Sequence, residues 1–176
     1  MLDNDVNKIV DILNNGGVIA LPTDTVFGLV ALYGNNTGYN KIYAIKNRPN
    51  DKKLILFIDK IDRLNDFCDN IDHDTYNYLD SIWPGDTTVI LKCKNNESIG
   101  FRIPDNKLIL DIINTIDKPL YSTSANVSGK NSVKSFEELD NEILNKVDFY
   151  IKGISSSGKP SKIIDLQDNK KNIIRK

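Results

Sequence analysis

Two cations stand two residues apart in Lys46-Asn47-Arg48-Pro49, and two other segments are dense in hydroxyls and amides: Pro22-Thr23-Asp24-Thr25 and Ser122-Thr123-Ser124-Ala125-Asn126-Val127-Ser128-Gly129. Lys and Arg supply fixed positive charge, and the planar guanidinium of Arg matches two phosphate oxygens at once. Ser and Thr add short donors that rotate to suit. Together these groups suit a polyphosphate. A second reading stands beside the first: Lys46 and Arg48 form a solvated helix end, where the helix dipole favours cations in any case.

Other chemistry finds little support. Gly153-Ile154-Ser155-Ser156-Ser157-Gly158-Lys159-Pro160 has the spacing of a phosphate-binding P-loop, but Pro160 stands where a hydroxyl should bind magnesium. The next residues, Ser161 to Asp165, read as a strand rather than the helix such a loop must open. The chain has no G-x-S-x-G, no G-x-G-x-x-G and no zinc-type helix. This argues against the common hydrolase, dinucleotide-binding and metalloprotease readings. Cys68 and Cys93 are widely spaced and lack a C-x-x-C pattern, so they read as buried free thiols. His73, the only histidine, opens a helical pattern and reads as a solvated first-turn residue.

The elements that must position these segments alternate along the chain. Val6, Ile9, Val10 and Leu13 have the spacing of an amphipathic helix behind an Asp3 or Asp5 cap, with Gly16-Gly17 as a stop. A buried strand, Val18 to Leu21, comes next, then a helix over Asn40 to Lys46 that ends where Arg48 precedes Pro49. Leu54 to Ile58 reads as a strand, and Arg63 to Phe67 and Asp74 to Ile82 as helices closed by Trp83-Pro84-Gly85. Thr87 to Cys93 and Ile99 to Ile103 read as strands of a hairpin joined by Lys94 to Glu97, which makes part of the sheet antiparallel. Beyond them lie a helix at Leu108 to Ile116, a strand at Leu120 to Thr123 and a helix at Phe136 to Val147. Strands at Phe149 to Ile151, Lys162 to Leu166 and Asn172 to Ile174 complete the pattern. Such alternation predicts an α/β fold, a layered domain with a mixed parallel and antiparallel sheet flanked by helices.

At 176 residues and 40% hydrophobic, the chain fits one domain over residues 1–176. No apolar stretch reaches the roughly 20 residues a membrane helix needs, and the first residues lack the basic start of a secretory signal, so a cytoplasmic protein is expected. The net charge of -1 gives no bulk attraction to nucleic acid. Lys159 to Lys176 carries six basic residues against Asp165 and Asp168, a stretch that favours phosphates locally or is simply a solvated face.

The three polar segments together resemble the YrdC/TsaC family of threonylcarbamoyl-AMP synthases, whose Lys-x-Arg and Ser-x-Asn signatures read here Lys46-Asn47-Arg48 and Ser124-Ala125-Asn126. The match extends to Gly17-Val18-Ile19-Ala20-Leu21, Val26-Phe27-Gly28-Leu29, Arg48 to Leu56, Trp83-Pro84-Gly85 and Lys118-Pro119-Leu120. It covers nearly the whole chain in family order, and it looks like the short, single-domain form. The resemblance implies a concave nucleotide-binding cleft on a YrdC-like fold. It also implies a nucleotidyltransferase that makes threonylcarbamoyl-AMP and pyrophosphate from L-threonine, bicarbonate or CO2, and ATP with Mg2+, for modification of the tRNA adenosine beside the anticodon.

By the same resemblance, Lys46 and Arg48 would be catalytic, neutralising the phosphates. Arg48, Lys52, Ser98, Ser122, Asn126, Ser132 and Arg175 would contact ATP. Thr25, Arg102, Ser124 and Ser161 would contact L-threonine. Each has a plainer reading, since serines favour loops and Arg102 can cap a strand edge. Asp24 is the nearest acidic candidate for magnesium, with a turn-capping role equally open. Phe57 stands where many longer members place a histidine, which leaves the amino-acid pocket open. Hand-over to a tRNA threonylcarbamoyl transferase complex is expected, while weak RNA contact stays open beside a solvated face. The rival reading is an inactive paralogue that binds RNA during tRNA or ribosome maturation.

Overall fold

One face of a sheet is only half covered by helices, and this uneven cover leaves a cleft. The computed structural model describes residues 3–49, 51–69, 71–168 and 171–176. Met1, Leu2, Asn50, Lys170 and the side chain of Asp3, all of them within segments named from the sequence, lie outside the described residues. The strands are β1 (Ile19–Leu21), β2 (Gly28–Leu32), β3 (Ile55–Phe57), β4 (Thr87–Lys92), β5 (Ser98–Arg102), β6 (Leu120–Ser124), β7 (Phe149–Tyr150), β8 (Lys162–Asp165) and β9 (Asn172–Arg175). The helices are α1 (Asp3–Asn14), α2 (Asn36–Lys46), α3 (His73–Ile82), α4 (Lys107–Ile116) and α5 (Asn141–Leu144).

The nine strands form one sheet in the order β7-β1-β2-β6-β3-β5-β4-β8-β9. The pairs β1/β7, β3/β5 and β4/β8 are parallel and the other neighbours antiparallel, so the mixed sheet expected from the alternation is present. The predicted hairpin is β4/β5, turned by a short 3-10 segment at Lys94–Asn96.

Side chains alternate between the two faces. Ile19, Leu21, Val30, Leu32, Phe57 and Leu120 pack on one face against Ile9 and Leu13 of α1 and Ile109, Ile112 and Ile113 of α4. On the other face Ala20, Leu29 and Ala31 meet Ile42, Tyr43 and Ile45 of α2. Leu56, Val89, Leu91 and Phe101 meet Leu79 of α3 and Leu64. The second face is therefore covered along most of its width. On the first face α1 and α4 shelter the β1, β2 and Leu120 region and leave the stretch toward β5, β4 and β8 uncovered.

Several expectations need correction. Cys68 and Cys93 are bonded to each other, because the turn after Leu64 and the end of β4 pack together in the same core. Phe136 to Val147 is not one helix: a 3-10 turn at Phe136–Glu138 gives way to extended Leu139, and the Asp140 carboxylate then caps α5 by accepting from Glu142 N at 2.9 Å. The chain from Ile61 to Asp66 is 3-10 rather than α-helical. α1 begins at Asp3, which puts Asp5 inside the helix instead of at its cap. Among the described residues no helix is long and apolar enough to cross a membrane.

Candidate active site

The uncovered stretch of sheet is the floor of a cavity of about 600 Å³. Register explains which side chains form it. Ile55 is paired with Ser122, Ile90 with Gly100 and Thr88 with Ile163, and members of a pair share a face. All six line the cavity, together with Arg102 and Phe57, another paired couple. At Gly100 a Cβ would lie 3.1 Å from Ile55 Cγ2, so the absent side chain keeps the floor open.

Arg102 is 2% exposed and held on three sides. Its Nε donates to Gly85 O at 2.8 Å and its Nη1 to Thr25 Oγ1 at 2.9 Å. Its Nη2 is ion-paired with Asp24. The guanidinium also lies over the Phe57 ring, 5.5 Å from the centroid. Burial lowers its pKa, against the opposing pull of Asp24. The second Asp24 oxygen accepts from Asp105 N at 3.1 Å, so this carboxylate serves Arg102 and a neighbouring turn rather than standing open to a metal.

The Pro-Thr-Asp-Thr loop is fixed from two sides. Thr23 Oγ1 donates to Val26 O at 2.7 Å and accepts from Thr25 N at 3.0 Å. The serine-rich segment lies alongside, with Ser156, Ser157 and Gly158 donating their backbone N–H to the carbonyls of Thr23, Asp24 and Thr25. It braces this loop, and the strand β8 that follows rules out the P-loop helix.

Lys46 and Arg48 diverge because Asn47 between them takes a left-handed conformation, φ 48°, as the cap of α2. Arg48 lines the cavity while donating from Nε to Lys52 O and from Nη2 to Lys53 O, both at 2.9 Å. Lys46 is 1% exposed and does not line it. Its ammonium donates to Ser124 O and to Asn126 O, the latter at 2.6 Å. Burial, with Arg48 nearby, pushes its pKa down to about 7.

At the far side β8 and β9 bring in two more predicted residues. Ser161 Oγ and Thr88 Oγ1 are 2.9 Å apart, and Arg175 donates to Ser161 O at 2.7 Å and to Ser161 Oγ at 3.1 Å. Burial and the nearby charge of Arg102 lower the pKa of Arg175.

Of the residues expected at the site, all but Lys46 and Lys52 line the cavity. Lys52 contributes its carbonyl, which accepts from Arg48 and from Tyr43 OH. Its neighbour Lys53 is the lining lysine and donates to Ser98 O at 3.1 Å. Sequence reasoning missed Lys53, Thr88, Asp51 and Lys130. The alternation of Thr88 and Ile90 along β4 was the available signal for Thr88. Asp51 is the carboxylate among the lining residues, and among the described residues no group of three His, Cys, Asp or Glu could hold a metal. One carboxylate among hydroxyls suits a magnesium ion that keeps most of its shell as water and phosphate oxygen.

Comparison with known proteins gives a consistent result. The Sua5/YciO/YrdC family model, described as telomere recombination, matches residues 11–176. A Methanocaldococcus jannaschii protein provisionally named threonylcarbamoyl-AMP synthase is 34% identical over 186 residues, covering 96% of this chain and 85% of that one. Bacillus subtilis threonylcarbamoyl-AMP synthase is 34% identical over 160 residues, covering 83% of this chain and 46% of its own. A doubly substituted P. abyssi Sua5 matches with a TM-score of 0.92 at 25% identity, over 99% of this chain and 57% of that one. The present chain thus spans about half the length of the last two.

Proposed function

The chain belongs to the Sua5/YciO/YrdC family, and from that premise we propose that it is an L-threonylcarbamoyladenylate synthase, a nucleotidyltransferase. L-threonine and bicarbonate or CO2 give a carbamate, whose oxygen attacks the α-phosphorus of ATP as the bond to the leaving pyrophosphate breaks. The observation that carries this reading is the pairing within one cavity of a fixed, buried guanidinium, Arg102, with a looser cationic rim of Arg48, Lys53 and Arg175. The first suits a small carboxylate and the second a polyphosphate.

In this reading Arg102 receives the threonine carboxylate, beside Thr25, Ser124 and Ser161. Arg48, Ser98, Ser122, Asn126, Ser132 and Arg175 face the nucleotide. Orientation and charge neutralisation supply most of the acceleration, so no histidine is required. Magnesium carried on the triphosphate would supply further neutralisation, with Asp51 the carboxylate of this chain available to it through water. The product would pass, in the cytoplasm, to a tRNA threonylcarbamoyl transferase complex.

The test is pyrophosphate release from ATP and magnesium, with threonine and bicarbonate omitted in turn. Release should require both and should fall roughly 100-fold or more in Arg48→Ala, as when one charge-stabilising donor is removed from a preorganised site. ATP binding without release under any combination would overturn the synthase reading.

A further inference from the structure

Lys46 is half of the Lys-x-Arg pair, yet its surroundings differ from those of a phosphate ligand. An ammonium has three donors and no acceptor. Here it donates to Ser124 O and to Asn126 O, and its third neighbour is Asn126 Oδ1 at 3.5 Å. Two of its donors are thus held by backbone carbonyls, and the amide oxygen beside them is another protein oxygen rather than open cavity. The backbone of the same residue takes part as well, since Lys46 O accepts from Ser128 N at 2.9 Å. Side chain and main chain of one residue thus grip the turn after β6 from both ends.

That turn begins the segment that carries Ser124, Asn126, Lys130 and Ser132 into the cavity. We propose that Lys46 is a positioning residue: it binds no phosphate and instead locks the Ser124–Ser132 segment to the end of α2, so that amino-acid and nucleotide binding both depend on it. Arg48 performs the matching task for the neighbouring stretch through Lys52 O and Lys53 O. The motif is then a two-armed brace across adjacent strands, since Ile55 of β3 and Ser122 of β6 are register partners.

The inference rests on the synthase reading for the identity of the two ligands, and the experiment separates the two claims. Calorimetry on Lys46→Met would measure L-threonine and a non-hydrolysable ATP analogue separately, each against wild type. A positioning role predicts that both affinities fall, each by tenfold or more. Loss confined to the nucleotide, or no loss, would overturn it. Wild-type protein that binds neither ligand would overturn the synthase reading and this inference with it.

A second measurement needs no variant. Acetic anhydride labelling of folded wild type at mild alkaline pH, followed by peptide mapping, should leave Lys46 unmodified with or without ATP, while Lys53 is labelled in the free protein. Lys46 that is labelled in free protein and protected by ATP would be a phosphate ligand, contrary to the proposal.

Discussion

The floor of the cavity and its rim solve the same problem in different ways. On the floor, Arg102, Thr88 and Ser122 project from strands whose ladder of backbone hydrogen bonds fixes their direction, and Arg102 is further pinned by Gly85, Thr25 and Asp24. On the rim, Lys52, Lys53 and the segment from Ser124 to Ser132 are tied down by two cations reaching backbone carbonyls. Each floor side chain is placed largely by its own strand. The rim is placed collectively, so one substitution there moves several contacts.

The strongest way to break the comparison is on the floor. Arg102→Met should leave the Asp24 carboxylate, only 8% exposed at its side chain, without its cation. The expected cost is about 3–5 kcal/mol of stability, the range for breaking a buried pair from one side. A thermal melt would show a large drop in midpoint, and threonine-dependent pyrophosphate release should vanish. An unchanged midpoint would mean that the floor owes little to this pair.

A smaller effect sharpens the same side. Gly100→Val would push a branched side chain toward Ile55 Cγ2, 3.1 Å from the ideal Cβ, and Thr88 Cγ2 at 3.5 Å. Overpacking of this kind costs about 1–3 kcal/mol. Denaturant unfolding should report that loss, while the Lys46 and Arg48 contacts survive. Because Gly100 lies on the cavity floor, the same valine should also cut affinity for the ATP analogue.

The remaining test lies on the rim and is read through pH. Lys46 titrates near 7 in the folded protein against an ordinary 10.5. Above pH 7 the unfolded chain therefore holds a proton that the folded chain lacks, and stability should rise with pH toward 10. Below pH 7 both states are protonated and the slope disappears. Arg48 is the charged neighbour, and Tyr43, pushed up to about 12 by burial and by its bond with Tyr39, stays silent in this window. Thermal midpoints of wild type and Lys46→Met between pH 7 and 9.5 should diverge, with the variant flatter. Parallel profiles would place the titration of Lys46 outside the window.

Much of this architecture was legible in the sequence because the relevant signals are local. β4 and β5 announced themselves by β-rich runs around a polar turn, and α4 by its apolar spacing. β2 was harder. Gly28 to Leu32 is apolar at every position because both of its faces are covered, so it lacks the alternation that marks a half-exposed strand. The broken helix after Phe136 turned on a cap, Asp140, whose bond to Glu142 N stops the apolar spacing from continuing as one helix.

The site was legible as a set of residue types but not as an arrangement. Nothing in Lys46-Asn47-Arg48 says that the first cation turns inward and the second outward. That depends on the left-handed cap at Asn47 and on a turn 78 residues later that presents Ser124 O. The joining of Cys68 to Cys93 was hidden for the same reason, since a separation of 25 residues says nothing about adjacency in the core.

Arg175 lies on β9, at the end of the strand order, yet it reaches the cavity that Thr25 lines from the other end of the sequence. During synthesis the site is therefore incomplete until β9 has been made and has paired with β8. A nascent chain should thus lack the Arg175 side of the cavity until β9 has left the ribosome and paired.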